Sequence, residues 1–287
     1  MKGVICLEIG KSIMDIIKQR KSIRSYDNKT LSTEIMNSLE SFFQGIKGPF
    51  EAKVRLKLVN ITDNENEGLK LGTYGVIKGA KTFLVGAVEK GDHDLEEIGY
   101  IFEKVILYIT SLDLGTCWLG GTFNRGEFAK AIGLKDNELL PVVTPVGNIR
   151  EQKNLIDSFF RYVAGSDNRK EWKEIFFNQN FNKSLQQEEA GYFKNPLEMI
   201  RLAPSASNRQ PWRIVVDGQR CHFYLQKTPR YSDKLGFDIQ RIDMGIAMCH
   251  FELTLLETGN KGQWIINPPK LEAIPENTYY IVTWANQ

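Results

Sequence analysis

Glu97-Ile-Gly-Tyr-Ile-Phe-Glu-Lys-Val-Ile-Leu-Tyr-Ile-Thr-Ser-Leu112, followed by Trp118, is the stretch from which the fold is read. Ile98, Phe102, Val105, Ile106, Ile109 and Leu112 fall at helical spacing, which predicts a long helix over 95–114. A second such stretch, 242–256, opens on Asp243-Met-Gly245 and is followed by Trp264. In both, an acid stands two residues before a glycine, and the glycine stands 19 residues before a tryptophan (118 − 99 and 264 − 245). An acid, a glycine, an apolar helical stripe and a closing tryptophan recurring at one spacing imply two homologous halves.

The elements around the two helices follow the same order. In the first half, helices are predicted over 9–19 and, capped by Ser32 or Thr33, to about Gly45. Val54, Leu56 and Leu58 alternate with basic residues, as in a strand with one buried face. Residues 82–88 form a continuous apolar run suited to a central strand, and 139–146 is strand-like. The second half gives a helix over 196–202, strands over 213–216 and 222–226, the helix over 242–256, and a last strand over 279–284. Strands and helices mixed in both halves predict an α+β fold. The halves are set at 1–180 and 192–287, joined by a linker over 181–191.

Composition excludes several classes. The 287 residues are 42% hydrophobic and 25% charged, a globular balance, and the net charge of +2 argues against nucleic acid or an acidic membrane as partner. No stretch approaches the roughly 20 apolar residues of a membrane span. The N-terminal apolar run is broken by Glu8 and is too short for a secretion signal. Cys6, Cys117, Cys221 and Cys249 lie far apart, and His93, His222 and His250 lack ligand spacing. Reduced, buried thiols in a cytoplasmic protein without a metal centre are expected.

Four segments can carry chemistry. Arg20-Lys-Ser-Ile-Arg24 puts three cations and a hydroxyl within five residues, which suits a phosphate or is a solvated basic turn. Ala203-Pro-Ser-Ala-Ser-Asn-Arg-Gln-Pro-Trp212 combines small side chains, which admit a flat ligand to the backbone, with amides at Asn208 and Gln210 that both donate and accept. Pro204 ends the helix before it. A plain turn is the alternative. Gly115-Thr-Cys-Trp-Leu-Gly-Gly121 is either a helix cap and turn or a place where backbone N–H groups meet a ligand unobstructed. Cys117 has no histidine or acid beside it in sequence and is not read as a nucleophile. Asp167-Asn-Arg-Lys170 offers two more cations, either for a phosphate or for solvent.

These segments, in this order, resemble the FMN-dependent nitroreductase family, in its branch with fused halves. Arg20, Ser22 and Arg24 match its basic opening motif. Pro204, Ser205, Asn208, Gln210, Pro211 and Trp212 match its P-S-x-x-N-x-Q-P-W string, the most specific of the motifs. Residues 115–121 are similar to its glycine turn, and Arg169-Lys170 to its late basic segment. The resemblance implies non-covalently bound FMN. Arg20, Lys21 and Ser22 would hold its phosphate and ribityl chain, with Arg169 as a further phosphate ligand. Arg24 would face the N1/O2 edge of the ring, where a cation favours the reduced anion. Pro204, Ser205, Ala206 and Asn208 would line the ring, and an N–H of Gly120 or Gly121 would face N5. No side chain need act as a nucleophile.

One departure from the family pattern shapes the expectation. The first half has Gly48-Pro-Phe-Glu51 where the P-S-x-x-N string should stand, and the second half has no basic opening motif. Each half holds what the other lacks, which implies an intrachain pseudo-dimer with one complete FMN site and one degenerate site, compatible with a monomer. The expected activity is an NAD(P)H oxidoreductase passing hydride by a ping-pong route to a small electron acceptor such as a nitroaromatic or quinone. Tyr74, Trp118 and Phe123 are candidates to line its pocket. The absence of a Rossmann fingerprint fits reduced nicotinamide binding at the flavin itself. A dehalogenase, a flavin-consuming enzyme or a non-enzymatic flavin-binding module on the same fold are the alternatives.

Overall fold

Val54, Leu56 and Leu58 lie on an edge strand, β1 (Val54–Asn60), in the computed structural model, which describes residues 10–61, 72–150 and 168–287. Cys6, Asp167 and the apolar run over 1–9 lie outside the described residues. The chain divides into two compact units, Gln19–Ala164 and Met1–Lys18 with Gly165–Gln287.

The first unit is built on the apolar run at 82–88. It forms β2 (Thr82–Glu89), whose residues are buried on both faces up to Val88. β2 pairs antiparallel with β1, from Val54 opposite Val88 to Asn60 opposite Thr82. On its other side it pairs antiparallel with β4 (Glu138–Gly147), and the two-residue β3 (Gly115–Thr116) completes the order β1-β2-β4-β3. Helix α2 (Thr33–Gly45) starts where expected, with the Ser32 hydroxyl accepting from the Ile35 N–H. The long helix α3 (Asp94–Ser111) packs on β2 at Gly86, where a Cβ would come within 3.0 Å of the Phe102 ring. Phe83, Val85 and Ala87 turn to the opposite face, against Phe123, Phe128 and Ile132. Phe128 and Ile132 belong to α4 (Arg125–Ile132), a short helix that periodicity did not reveal.

In the second unit a five-stranded sheet runs β5-β6-β7-β9-β8. Its strands are β5 (Phe176–Asn178), β6 (Trp212–Asp217), β7 (Arg220–Gln226), β8 (Gly262–Ile265) and β9 (Thr278–Asn286), and only β5 pairs in parallel. Ahead of β5 comes a single turn of helix, α5 (Trp172–Ile175). Helix α6 (Lys194–Leu202) stops before Ala203-Pro204, as proline requires. The long helix α7 (Ile239–Glu257) is capped by Asp238, which accepts from the Gln240 N–H. Phe251 of α7 is fully buried and touches Phe193, Phe223, Trp264 and Trp284, with ring centroids 5.3–6.1 Å away.

This division differs from the one set at 181–191, for two reasons. At the end of α7 the Glu257 carboxylate accepts from the N–H groups of Ile13 (2.6 Å) and Met14 (3.4 Å) and from the Ser12 hydroxyl (3.3 Å). It caps helix α1 (Ile13–Gln19), so residues up to Lys18 belong with the C-terminal unit. Likewise β5 precedes residue 181 and yet pairs with β6, Phe176 opposite Ile214. Each is a contact across long sequence separation and leaves no periodic trace. Among the described residues, no helix is long and apolar enough to cross a membrane.

Phe251→Ala is expected to destabilise the protein by about 3–5 kcal/mol, because it empties the centre of an aromatic cluster. Urea unfolding measures this, and a loss below about 1 kcal/mol would show that the ring is not a core element.

Candidate functional site

Each unit gathers part of the sequence-predicted set. In the first, the basic segment lies beside the glycine turn. Ser22 forms a parallel bridge with Thr116, and the Ile23 N–H donates to the Thr116 carbonyl at 2.8 Å. On the other side the Lys78 N–H donates to the Arg24 carbonyl at 2.8 Å. Backbone pairing on both sides thus straightens the segment, with Lys21 exposed and Ser22 and Arg24 half-buried. The turn itself is held by Arg125, which donates to the carbonyls of Gly120 (2.8 Å) and Leu140 (2.9 Å). Burial lowers the Arg125 pKa. Gly120 is half-buried and Gly121 exposed.

Arg20 is the most telling cation of this group. Its side chain is only 7% exposed, and Nε and Nη1 are buried without a hydrogen-bond partner. The Glu103 carboxylate lies 3.9 Å from Nε, within ion-pair range and beyond hydrogen-bond range. A buried guanidinium short of acceptors fits a group rich in anionic oxygens, which a phosphate supplies.

In the second unit Arg169, Asn208 and the turn around them come together. Arg169 donates to Asn208 Oδ1 at 2.6 Å and to the Leu202 carbonyl at 3.1 Å. Asn208 Nδ2 donates to the Asn168 carbonyl at 2.7 Å. Gln210 donates to the same carbonyl at 3.1 Å and accepts from the Lys170 N–H at 2.8 Å. Within the turn, the Ser205 hydroxyl accepts from the Gln210 N–H, and the Tyr231 hydroxyl donates to Ser207. Ser207, Asn208 and Gln210 all have left-handed backbone, with φ of 47°, 53° and 49°. Such conformations cost of order 1–3 kcal/mol each and cluster at ligand-gripping sites. Lys170, desolvated and then repelled by Arg213, is lowered to a pKa of about 8.

The turn leans on a residue that the repeat had singled out. Asp243 of α7 accepts the Ala206 N–H on Oδ1 at 2.9 Å, while Oδ2 is buried with no partner. Burial raises the Asp243 carboxyl well above its ordinary value. The first unit repeats the device. Glu97 of α3 accepts the Phe50 N–H at 2.8 Å, inside Gly48-Pro-Phe-Glu51. There a Cβ on Gly48 would sit 2.5 Å from the Glu97 carboxylate, so a larger residue would push that side chain off its N–H partners. Phe50 is thus held by its helix acid, as Ala206 is in the other unit, and its ring stacks on His93 at 4.3 Å. Desolvation raises Glu97 to about 7, against three backbone N–H bonds that pull it down.

Of the other candidates, Phe123 is not available to line a pocket. It is 4% exposed and packs edge-on against Phe128 in the core. Tyr74 is 71% exposed and Trp118 is half-buried. Cys117 is buried, its N–H held by Thr144, and the described cysteines form no disulfide. Sequence reading missed Glu103 and Tyr231. Glu103 carried a signal, an acid at the centre of an apolar helix.

Glu97 makes stability depend on pH. Its native carboxyl binds a proton that the unfolded chain has released between about 4.5 and 7, so this contribution is full below 4.5 and is lost as pH rises through 7. Glu97→Gln should flatten that stretch of the stability–pH curve, whereas an unchanged slope would remove Glu97 as its source. For Asp243, the neutral isostere Asp243→Asn should cost less than about 1 kcal/mol. Asp243→Ala orphans the Ala206 N–H and should cost about 1–3 kcal/mol in urea unfolding. Equal losses for the two would contradict a neutral carboxyl.

Comparison with known proteins bears on this arrangement. The family described as "Putative TM nitroreductase" matches over residues 12–255. A nitroreductase structure from Thermotoga maritima MSB8 is 18% identical, with a TM-score of 0.61, covering 96% of this chain and 93% of that one. At that identity the likeness shows the fold. A nitroreductase with bound FMN from Bacteroides fragilis NCTC 9343 is 18% identical over 50% of this chain and 92% of its own, with a TM-score of 0.41. A nitroreductase family protein from Clostridium difficile 630 is 15% identical over 53% of this chain and 92% of its own, also at 0.41. No curated protein matches. With an α+β fold in both units and a family match across most of its length, the chain belongs to the TM-type nitroreductase family.

Proposed function

We propose that the protein is an FMN-dependent NAD(P)H oxidoreductase that reduces a small acceptor, a nitroaromatic or a quinone, in alternating half-reactions. The observation that carries this reading is the Arg20 guanidinium, buried with two nitrogens lacking acceptors beside the turn at 115–121. Family membership and the strained turn at 205–210 support it. FMN, when bound, supplies the hydride chemistry, taking two electrons from reduced nicotinamide and passing them to the acceptor.

The chain's own groups then have binding and tuning roles. Arg20, Lys21 and Ser22 hold the phosphate and ribityl chain, with Arg169 as a further phosphate contact. Arg24 sets a fixed positive charge at the pyrimidine edge, where it favours added negative charge. Pro204, Ser205, Ala206 and Asn208 press small side chains and backbone against the ring. An N–H of Gly120 or Gly121 donates to N5. Fixed donors of this kind need no reorganisation during the reaction, because backbone bonds and Arg125 already hold the turn.

We propose further that the two units are a fused pair with a single competent site. Phe50, stacked on His93, puts an aromatic ring in the loop held by its helix acid, whereas the loop held by Asp243 has Ala206 at its bonded N–H. The purified protein should therefore bind one FMN per chain, and NADH or NADPH should bleach the flavin absorbance. A saturating ratio of two would overturn the single site. Apoprotein that takes up no FMN would sink the cofactor assignment, and bound flavin that neither nucleotide bleaches would leave a binding module.

A further inference from the structure

Glu103 is buried in the middle of α3, with none of its side chain exposed. One carboxylate oxygen accepts from the Trp118 indole N–H at 2.7 Å. The other lies 3.9 Å from Nε of Arg20. Trp118 belongs to the glycine turn and Arg20 opens the basic segment, so a single carboxylate touches both segments. The Phe102 ring packs on Trp118 at 4.9 Å and holds the indole from the side.

The second unit supplies an internal control. Six residues after Glu97 stands Glu103, and six residues after Asp243 stands Cys249. The matching tryptophan, Trp264, has its indole N–H buried without a hydrogen-bond partner. A buried indole donor left unpaired is costly, so the helical repeat does not require this acid for packing. It occurs in the half that also carries the basic segment, and the half without that segment does without it.

The geometry points to Glu103 as a positioning residue of the cofactor site, one that holds the Arg20 guanidinium in register with the turn at 115–121 through Trp118. This rests on the FMN reading above and names a residue that the reading does not. Glu103 touches neither the phosphate nor the ring in this account. It fixes the direction in which Arg20 presents its unsatisfied N–H groups, and it keeps that cation at a fixed offset from the backbone of Gly120 and Gly121.

The test is a double-mutant cycle on FMN binding to apoprotein, followed by flavin fluorescence. Glu103→Gln keeps an acceptor for Trp118 and removes the charge facing Arg20. It should weaken FMN binding by about tenfold, the scale of one charge-assisted hydrogen bond misdirected. In an Arg20→Ala background the same change should add less than about twofold, since the group it positions is gone. If Glu103→Gln fails to fold, Trp118→Phe paired with Arg20→Ala runs the same cycle from the other side of the carboxylate. Losses that simply add, or single variants that bind FMN as the parent does, overturn the positioning role and leave the cofactor reading intact. A parent apoprotein that binds no FMN overturns the cofactor reading instead.

Discussion

A carboxylic acid early in each long helix, accepting the backbone N–H of the loop before a strand, is the constraint on which both units depend. Glu97 holds Phe50 in this way and Asp243 holds Ala206. The loops carry strained backbone, with Glu51 at φ 59° and Ser207 and Asn208 at 47° and 53°. Without a buried acceptor, their N–H groups would relax toward water. At both acids desolvation outweighs the hydrogen bonds and raises the carboxyl, Glu97 to about 7. A protonated carboxyl accepts a backbone N–H at far smaller desolvation cost than a carboxylate, which is why burial inside a mostly apolar helix drives the pKa of both acids up.

The side-chain lengths matter as well. Glu97 is one methylene longer than Asp243, and its loop answers with Gly48, where a Cβ would displace the Glu97 carboxylate. Asp243 is shorter, and its loop answers with Pro204, Ser205 and Ala206, which bring the backbone to the helix. A swap of Glu for Asp on one helix alone would lengthen or crowd the bond by about the 1.5 Å of one carbon–carbon link.

Elements that bury a continuous or periodic apolar surface were legible in the sequence. α2, β2, β4, β6, β7 and α7 appear within a few residues of their expected bounds, because each announces its burial through period or run length. The elements that were not legible are short or held by remote partners. β5 is three residues long and exists by pairing with β6, and β8 is four residues paired with β9. At the site, residue types pointed to the basic segment and to the turn at 204–212. They could not reveal that Arg169 is engaged with Asn208, or that Asn208 spends both ends of its amide on Arg169 and Asn168. Phe123 failed as a pocket residue because α4, unread in the sequence, brings Phe128 against it.

The two units share a frame and differ where chemistry would be done. Phe50 stands against Ala206, Glu103 against Cys249, and a bonded Trp118 indole against an unpaired Trp264. Differences run along the whole of the two long helices, with Phe102 standing against Met248 and Val105 against Phe251. Had the halves drifted under packing constraints alone, changes would concentrate on exposed positions, since buried ones are costly to alter. Here the substituted positions on the long helices are buried, Glu103 and Cys249 both at 0% exposure. An acid, a glycine and a tryptophan keep their spacing in both units while the buried side chains between them change, so the shared frame rests on those positions and tolerates repacking around them.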